Sequence, residues 1–143
     1  MQPGRGRTLA TTFLWVYLAI LAVVLLSPSA ALPSSLVGLL ADAGEGAHLP
    51  AALVLPERVE LVANTLVVVP ATAVAAWLWP EHRWTTWTAY GFVAALGVEA
   101  VQALLLADRS ATYVDVVANT LGALLGSVAA HLFHGYQRRS GTP

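Results

Sequence analysis

Six polar residues stand inside or at the edges of otherwise apolar stretches: Asn64, Glu99, Gln102, Arg109, Asp115 and Asn119. Two carboxylates can accept hydrogen bonds or pass protons, amides can donate to them, and a guanidinium can hold a phosphate through paired donors. Asp115 and Asn119 are four positions apart, which stacks them on one helical face. A carboxylate deep in a bilayer costs on the order of 2.5 to 3.5 kcal/mol, so Glu99 and Asp115 require partners and should not face lipid. Arg109 is the nearest cation. Gln102, one turn from Glu99, can donate to a carboxylate, and the Asn64 and Asn119 amides offer two donors each. Polar residues also serve simply to hold membrane helices together, at roughly 0.6 kcal/mol each. That role needs an amide or two, whereas this set brings two acids, three amides and an arginine to one depth.

The elements that must position this set are apolar runs. Of 143 residues 57% are hydrophobic and 10% charged, and runs at about 9–26, 61–79, 84–106 and 111–133 approach or exceed spanning length. Backbone groups in lipid must be satisfied internally, and runs without period-two alternation make poor barrel strands. The expected fold is therefore an all-α integral membrane protein, one domain of four transmembrane helices in a bundle. Between the first two spans, residues 27–58 carry prolines, glycines and scattered acids, reading as an extracytoplasmic loop whose residues 34–41 could lie along the interface or dip into the membrane. The turn Trp79-Pro80-Glu81-His82-Arg83-Trp84 is too short for anything but a tight reversal. Trp77, Trp79, Trp84 and Trp87 around it form an interfacial belt.

All seven cations are arginine. Arg5, Arg7, Arg83, Arg138 and Arg139 share one side of a four-span topology, and Arg58 and Arg109 the other. The positive-inside rule then places both termini in the cytoplasm. A cleaved signal ending near Ser29-Ala30-Ala31 is the alternative, but it would leave three spans and spoil this pattern. With four spans, Glu99 and Gln102 lie roughly 10 and 6 Å below the outer end of the third, and Asp115 and Asn119 roughly 6 and 12 Å below the outer start of the fourth. Asn64 occupies the first turns of the second. All converge on the outer half of the bilayer, with Asp108 and Arg109 in the short turn above.

The second and fourth spans echo each other. Glu60-Leu-Val-Ala-Asn64-Thr-Leu aligns with Asp115-Val-Val-Ala-Asn119-Thr-Leu, and because both spans run the same way, a repeat here would be parallel. Gly122 and Gly126 extend the Asp115 face as a small-xxx-small surface for helix packing. Pro70 removes a backbone donor inside the second span and predicts a kink. No cysteine occurs, so disulfides, thiolate metal sites and a cysteine nucleophile are excluded. His131 and His134 lack an evident third ligand, and neither a metal nor a cofactor is expected. A formal charge of −1 without a basic run gives no support for nucleic-acid binding.

The combination of Asn64 followed by an apolar run to Pro70, Glu99-x-x-Gln102, Arg109 and Asp115-x-x-x-Asn119-x-x-Gly122-x-x-x-Gly126 resembles the VanZ-like family of small bacterial membrane proteins. The resemblance covers the second to fourth spans and is most specific between residues 99 and 126. It implies a bacterial cytoplasmic-membrane protein of four or so helices, in a family named for a member linked to resistance to the glycopeptide teicoplanin. It implies no particular reaction. Glu60 stands where an aspartate would be as readily expected.

Three functions compete. In the first, the polar set is an outer-leaflet pocket for the headgroup of an envelope lipid or lipid-linked cell-wall intermediate, with Arg109 on a phosphate and Glu99, Gln102, Asp115 and Asn119 on sugar or peptide groups. In the second, Glu99 and Asp115 are the general acid and base of a membrane hydrolase or transferase acting on a lipid-linked headgroup. In the third, the chain is a structural partner of another envelope protein, through the Gly122/Gly126 surface or the outer loop. A proton-coupled transporter would require four helices to form a homo-oligomer to enclose a pathway.

Overall fold

The computed structural model describes residues 4–27, 31–106 and 112–141. Five helices occur in order: α1 (Arg5–Leu25), α2 (Ala31–Gly46), α3 (Pro56–Leu78), α4 (Trp84–Leu105) and α5 (Tyr113–Ser140). No strand appears among the described residues. Four helices, α1, α3, α4 and α5, are long and apolar enough to cross a membrane. The expected four-span, all-helical architecture is thus present. The 28 residues of α5 give about 42 Å of helix, longer than a hydrocarbon core of about 30 Å. Its last turn carries Arg138 and Arg139, and Gly141 closes it at a left-handed φ of 63°.

The segment read from sequence as a loop is largely helical. α2 occupies 16 residues of it, includes the stretch at 34–41 and packs on α3. Its C-terminal turn is closed by Gly44, which lies against Val54, and by His48 in the left-handed region at φ 58°. Arg58, in the first turn of α3, donates to the Ala52 carbonyl at 2.6 Å and ties the connection down.

α3 and α5 form the centre of the bundle, with α1 on α3 and α4 on α5. In lipid there is little hydrophobic drive between helices, so close approach depends on small side chains. The buried surfaces are accordingly rich in them: Ala71, Ala75 and Ala76 on α3, and Ala118, Ala123, Ser127 and Ala130 on α5. A Cβ on Gly122 would meet the Thr65 carbonyl and Val68, and one on Gly126 would meet the Val69 carbonyl and Thr72. These pairings advance together along both chains, so α3 and α5 run parallel. Ala123 rests against Gly91 and Ser127 bonds to the Trp84 carbonyl, pairings that run oppositely and make α4 antiparallel to α5.

The helix α3 continues through Pro70. Proline removes the donor for the Leu66 carbonyl, and at the next carbonyl, that of Val67, the Tyr17 hydroxyl of α1 donates at 2.8 Å. Arg7 donates to the Leu78 carbonyl at 2.7 Å, joining the start of α1 to the end of α3. Around the tight reversal, Trp79, His82, Trp87 and Tyr90 interlock, with Trp87 edge-on to both His82 and Tyr90.

Candidate functional site

α5 begins at Thr112, which has extended backbone (φ −130°, ψ 142°) and accepts from the Asp115 N–H through its hydroxyl at 3.1 Å. Thr-x-x-Asp at a helix start is a capping-box pattern, in which the acid ordinarily reaches back to the backbone N–H of the cap residue. Here a different helix supplies that acid. The Thr112 N–H donates to Glu99 Oε2 of α4 at 2.8 Å, and the Thr112 hydroxyl donates to Asp115 Oδ2 at 2.7 Å. One threonine therefore engages both carboxylates, and an acidic first turn suits the positive end of the α5 dipole.

Asp115 has a second partner across the parallel pair. The Asn64 amide donates to Asp115 Oδ1 at 2.6 Å, so each carboxylate oxygen accepts a short bond. Gln102 completes the ring of helices, although not by donating to Glu99 as its spacing suggested. Its amide nitrogen donates to the carbonyl of Leu25 at 2.9 Å, a group at the end of α1 where intrahelical donors run out. The side chains of Asn64, Glu99, Gln102, Thr112 and Asp115 thus join α1, α3, α4 and α5 at one end of the bundle.

Glu99, Gln102 and Asn119 are buried, while Asn64 and Asp115 are half-buried. Asn119 lies one turn beyond Asp115, 8% exposed, and its Oδ1 has no hydrogen-bond donor. Leaving such an acceptor unpaired costs about 1 to 3 kcal/mol. The site is therefore rich in acceptors: two carboxylates and one buried amide oxygen that receives no donor. Asp108 and Arg109 lie outside the described residues, so the turn expected above the set is not part of this geometry. Gly122 and Gly126 continue the Asp115 face but are covered by α3. Glu60, which aligns with Asp115 in the repeat, is exposed, so the two halves of the repeat sit in unequal surroundings.

Thr112 is the residue that sequence reasoning passed over. It is the second residue of the expected fourth span, where it reads as part of an apolar run; the signal was the Thr-x-x-Asp spacing itself. Among the described residues no group of three His, Cys, Asp or Glu side chains is placed to hold a metal ion.

No curated protein matches this chain, and no solved structure does. The family model described as VanZ/LLP1 matches residues 13–134, a stretch that contains the greater part of α1 and α5, all of α2, α3 and α4, and every residue of the polar set. With the multi-pass helical fold and that match over most of its length, the chain belongs to the VanZ/LLP1 family.

Proposed function

We propose that the polar end of the bundle is a receptor for the headgroup of an envelope lipid or lipid-linked cell-wall intermediate, in the outer leaflet of a bacterial cytoplasmic membrane. The observation that carries this reading is the buried Asn119 Oδ1, which lacks a donor one turn from a carboxylate already held in place. An acceptor-rich floor calls for a donor-rich ligand, and the hydroxyls of a sugar or the amines of a peptide meet that description. Glu99 and Asp115 are fixed by Thr112, so the floor is organised before the ligand arrives. Arg109, in the adjoining turn of the sequence, supplies the phosphate contact. The arginine distribution supports an orientation with both termini cytoplasmic. Binding of this kind alters the exposure of a cell-wall precursor, and through it sensitivity to teicoplanin.

Lipid mass spectrometry on protein extracted in native-membrane nanodiscs tests the reading. Wild type carries a glycosylated or peptidyl polyprenyl lipid that an Arg109→Ala, Asp115→Asn double variant of equal helicity lacks. Identical lipid profiles would reduce the polar set to a clamp between helices.

The shared engagement of Glu99 and Asp115 by Thr112 favours one second reading, a hydrolase or transferase in which the two carboxylates divide acid and base roles. Turnover of a lipid-linked substrate, lost in both Glu99→Gln and Asp115→Asn, would put it first. A scaffolding role through Gly122 and Gly126 loses its surface, because α3 already occupies it; a protein partner would have to use the 27–58 segment.

A further inference from the structure

At the end of the bundle away from Asp115, the start of α1 and the end of α3 enclose a groove of about 420 Å³ lined by Arg7, Thr8, Thr11, Thr12, Trp15 and Trp79. Its residues fall on one face of α1 at helical spacing, and their character changes along the axis. Arg7 stands at the mouth with its guanidinium fixed, since one nitrogen donates to the Leu78 carbonyl at 2.7 Å. Among the described residues it forms no ion pair with a carboxylate. Thr11 turns its hydroxyl back to the Arg7 carbonyl at 2.8 Å, leaving those of Thr8 and Thr12 for another acceptor. Trp15 lies eight residues from Arg7, about 12 Å further along the helix, and is 63% exposed within the apolar part of α1.

A charge at the rim, hydroxyls beneath it and an exposed indole at acyl-chain depth match the order of groups in a glycerophospholipid. A free phosphate would use only the first of these. The end itself is cationic: Arg5, Arg7, Arg83, Arg138 and Arg139 gather there by the direction of the helices, against Glu81 in the reversal. We infer that this groove binds an anionic phospholipid, with Arg7 on its phosphate, Thr8 and Thr12 on phosphate or glycerol oxygens, and an acyl chain running past Trp15. The site is separate from the polar end and does not depend on the function proposed for it.

The test is native mass spectrometry of the full chain, delipidated in detergent and then offered equal amounts of phosphatidylglycerol and phosphatidylcholine with the same acyl chains. One arginine near a membrane surface is worth about fivefold in preference for an anionic lipid, so wild type retains phosphatidylglycerol about fivefold over phosphatidylcholine. Arg7→Gln carries no charge, and it brings the two lipids to parity. Arg139→Ala, away from the groove, keeps the preference. Should Arg7→Gln lose helicity, the Thr8→Val, Thr12→Val double variant takes its place and lowers phosphatidylglycerol retention. Three results overturn the inference: equal retention by wild type, a preference unchanged in a folded Arg7→Gln or in the threonine variant, and displacement of the lipid by millimolar inorganic phosphate, which would show that the groove holds a phosphate alone.

Discussion

The backbone N–H of Thr112 donates to Glu99 Oε2 at 2.8 Å, so a carboxylate of α4 caps a backbone donor at the start of α5. Asp115, the acid that the local pattern offers for that bond, is released to bind the Thr112 hydroxyl and the Asn64 amide instead. Glu99→Gln retains an acceptor oxygen and lowers stability by less than about 1 kcal/mol, whereas Glu99→Leu strands the Thr112 N–H and costs about 1 to 3 kcal/mol. Unfolding of the purified protein in mixed micelles distinguishes the two.

Thr112 contributes a hydroxyl in two capacities, as acceptor in the helix cap and as donor to Asp115. Thr112→Val keeps the shape and loses both, which lowers stability by about 1 to 2 kcal/mol, while Thr112→Ser stays near wild type. A loss in Thr112→Ser with Thr112→Val near wild type would assign the effect to the methyl group rather than the hydroxyl.

Asn64 and Asp115 join the two parallel central helices. A double-mutant cycle with Asn64→Ala and Asp115→Ala should return a coupling of about 1 kcal/mol, above the mean of about 0.6 for hydrogen bonds between membrane helices, because the bond is short.

The four spans and the gathering of Asn64, Glu99 and Asp115 at one end were legible because hydropathy gives the lengths and alternating helix direction gives the depths. α2 was not, since Pro33, Gly38 and Gly44 read as breakers and its 16 residues fall short of a span. The partner of Gln102 was hidden for a different reason. Spacing within one helix pointed to Glu99, and nothing local announces the Leu25 carbonyl 77 positions away. Thr112 belongs to both categories: its capping role is local, but the identity of the acid it engages is a tertiary fact.

Gly126→Ala places a methyl group against the Val69 carbonyl and Thr72, and should destabilise the bundle by about 1 to 3 kcal/mol by forcing α3 and α5 apart. Gly97→Ala is the matched control: nothing lies within 4 Å of its Cβ position, and improved helix propensity makes it neutral or slightly stabilising. Micelle unfolding of both variants checks the pair.

Because the chain contains no cysteine, single substitutions report topology without background. With a membrane-impermeant maleimide applied to intact spheroplasts, Ala47→Cys should label and Ser140→Cys should label only after permeabilisation. The reverse pattern would invert the orientation and move the polar end to the cytoplasmic leaflet.

The most direct test of the headgroup reading is a binding titration in nanodiscs that compares a polyprenyl phosphate with the same lipid carrying a sugar. Wild type should bind the glycosylated lipid more tightly. Asn119→Leu should abolish that difference while leaving the unglycosylated lipid unaffected, and Arg109→Ala should weaken both. Equal affinity for the two lipids in wild type, or a sugar preference that survives Asn119→Leu, would contradict a headgroup site at the polar end.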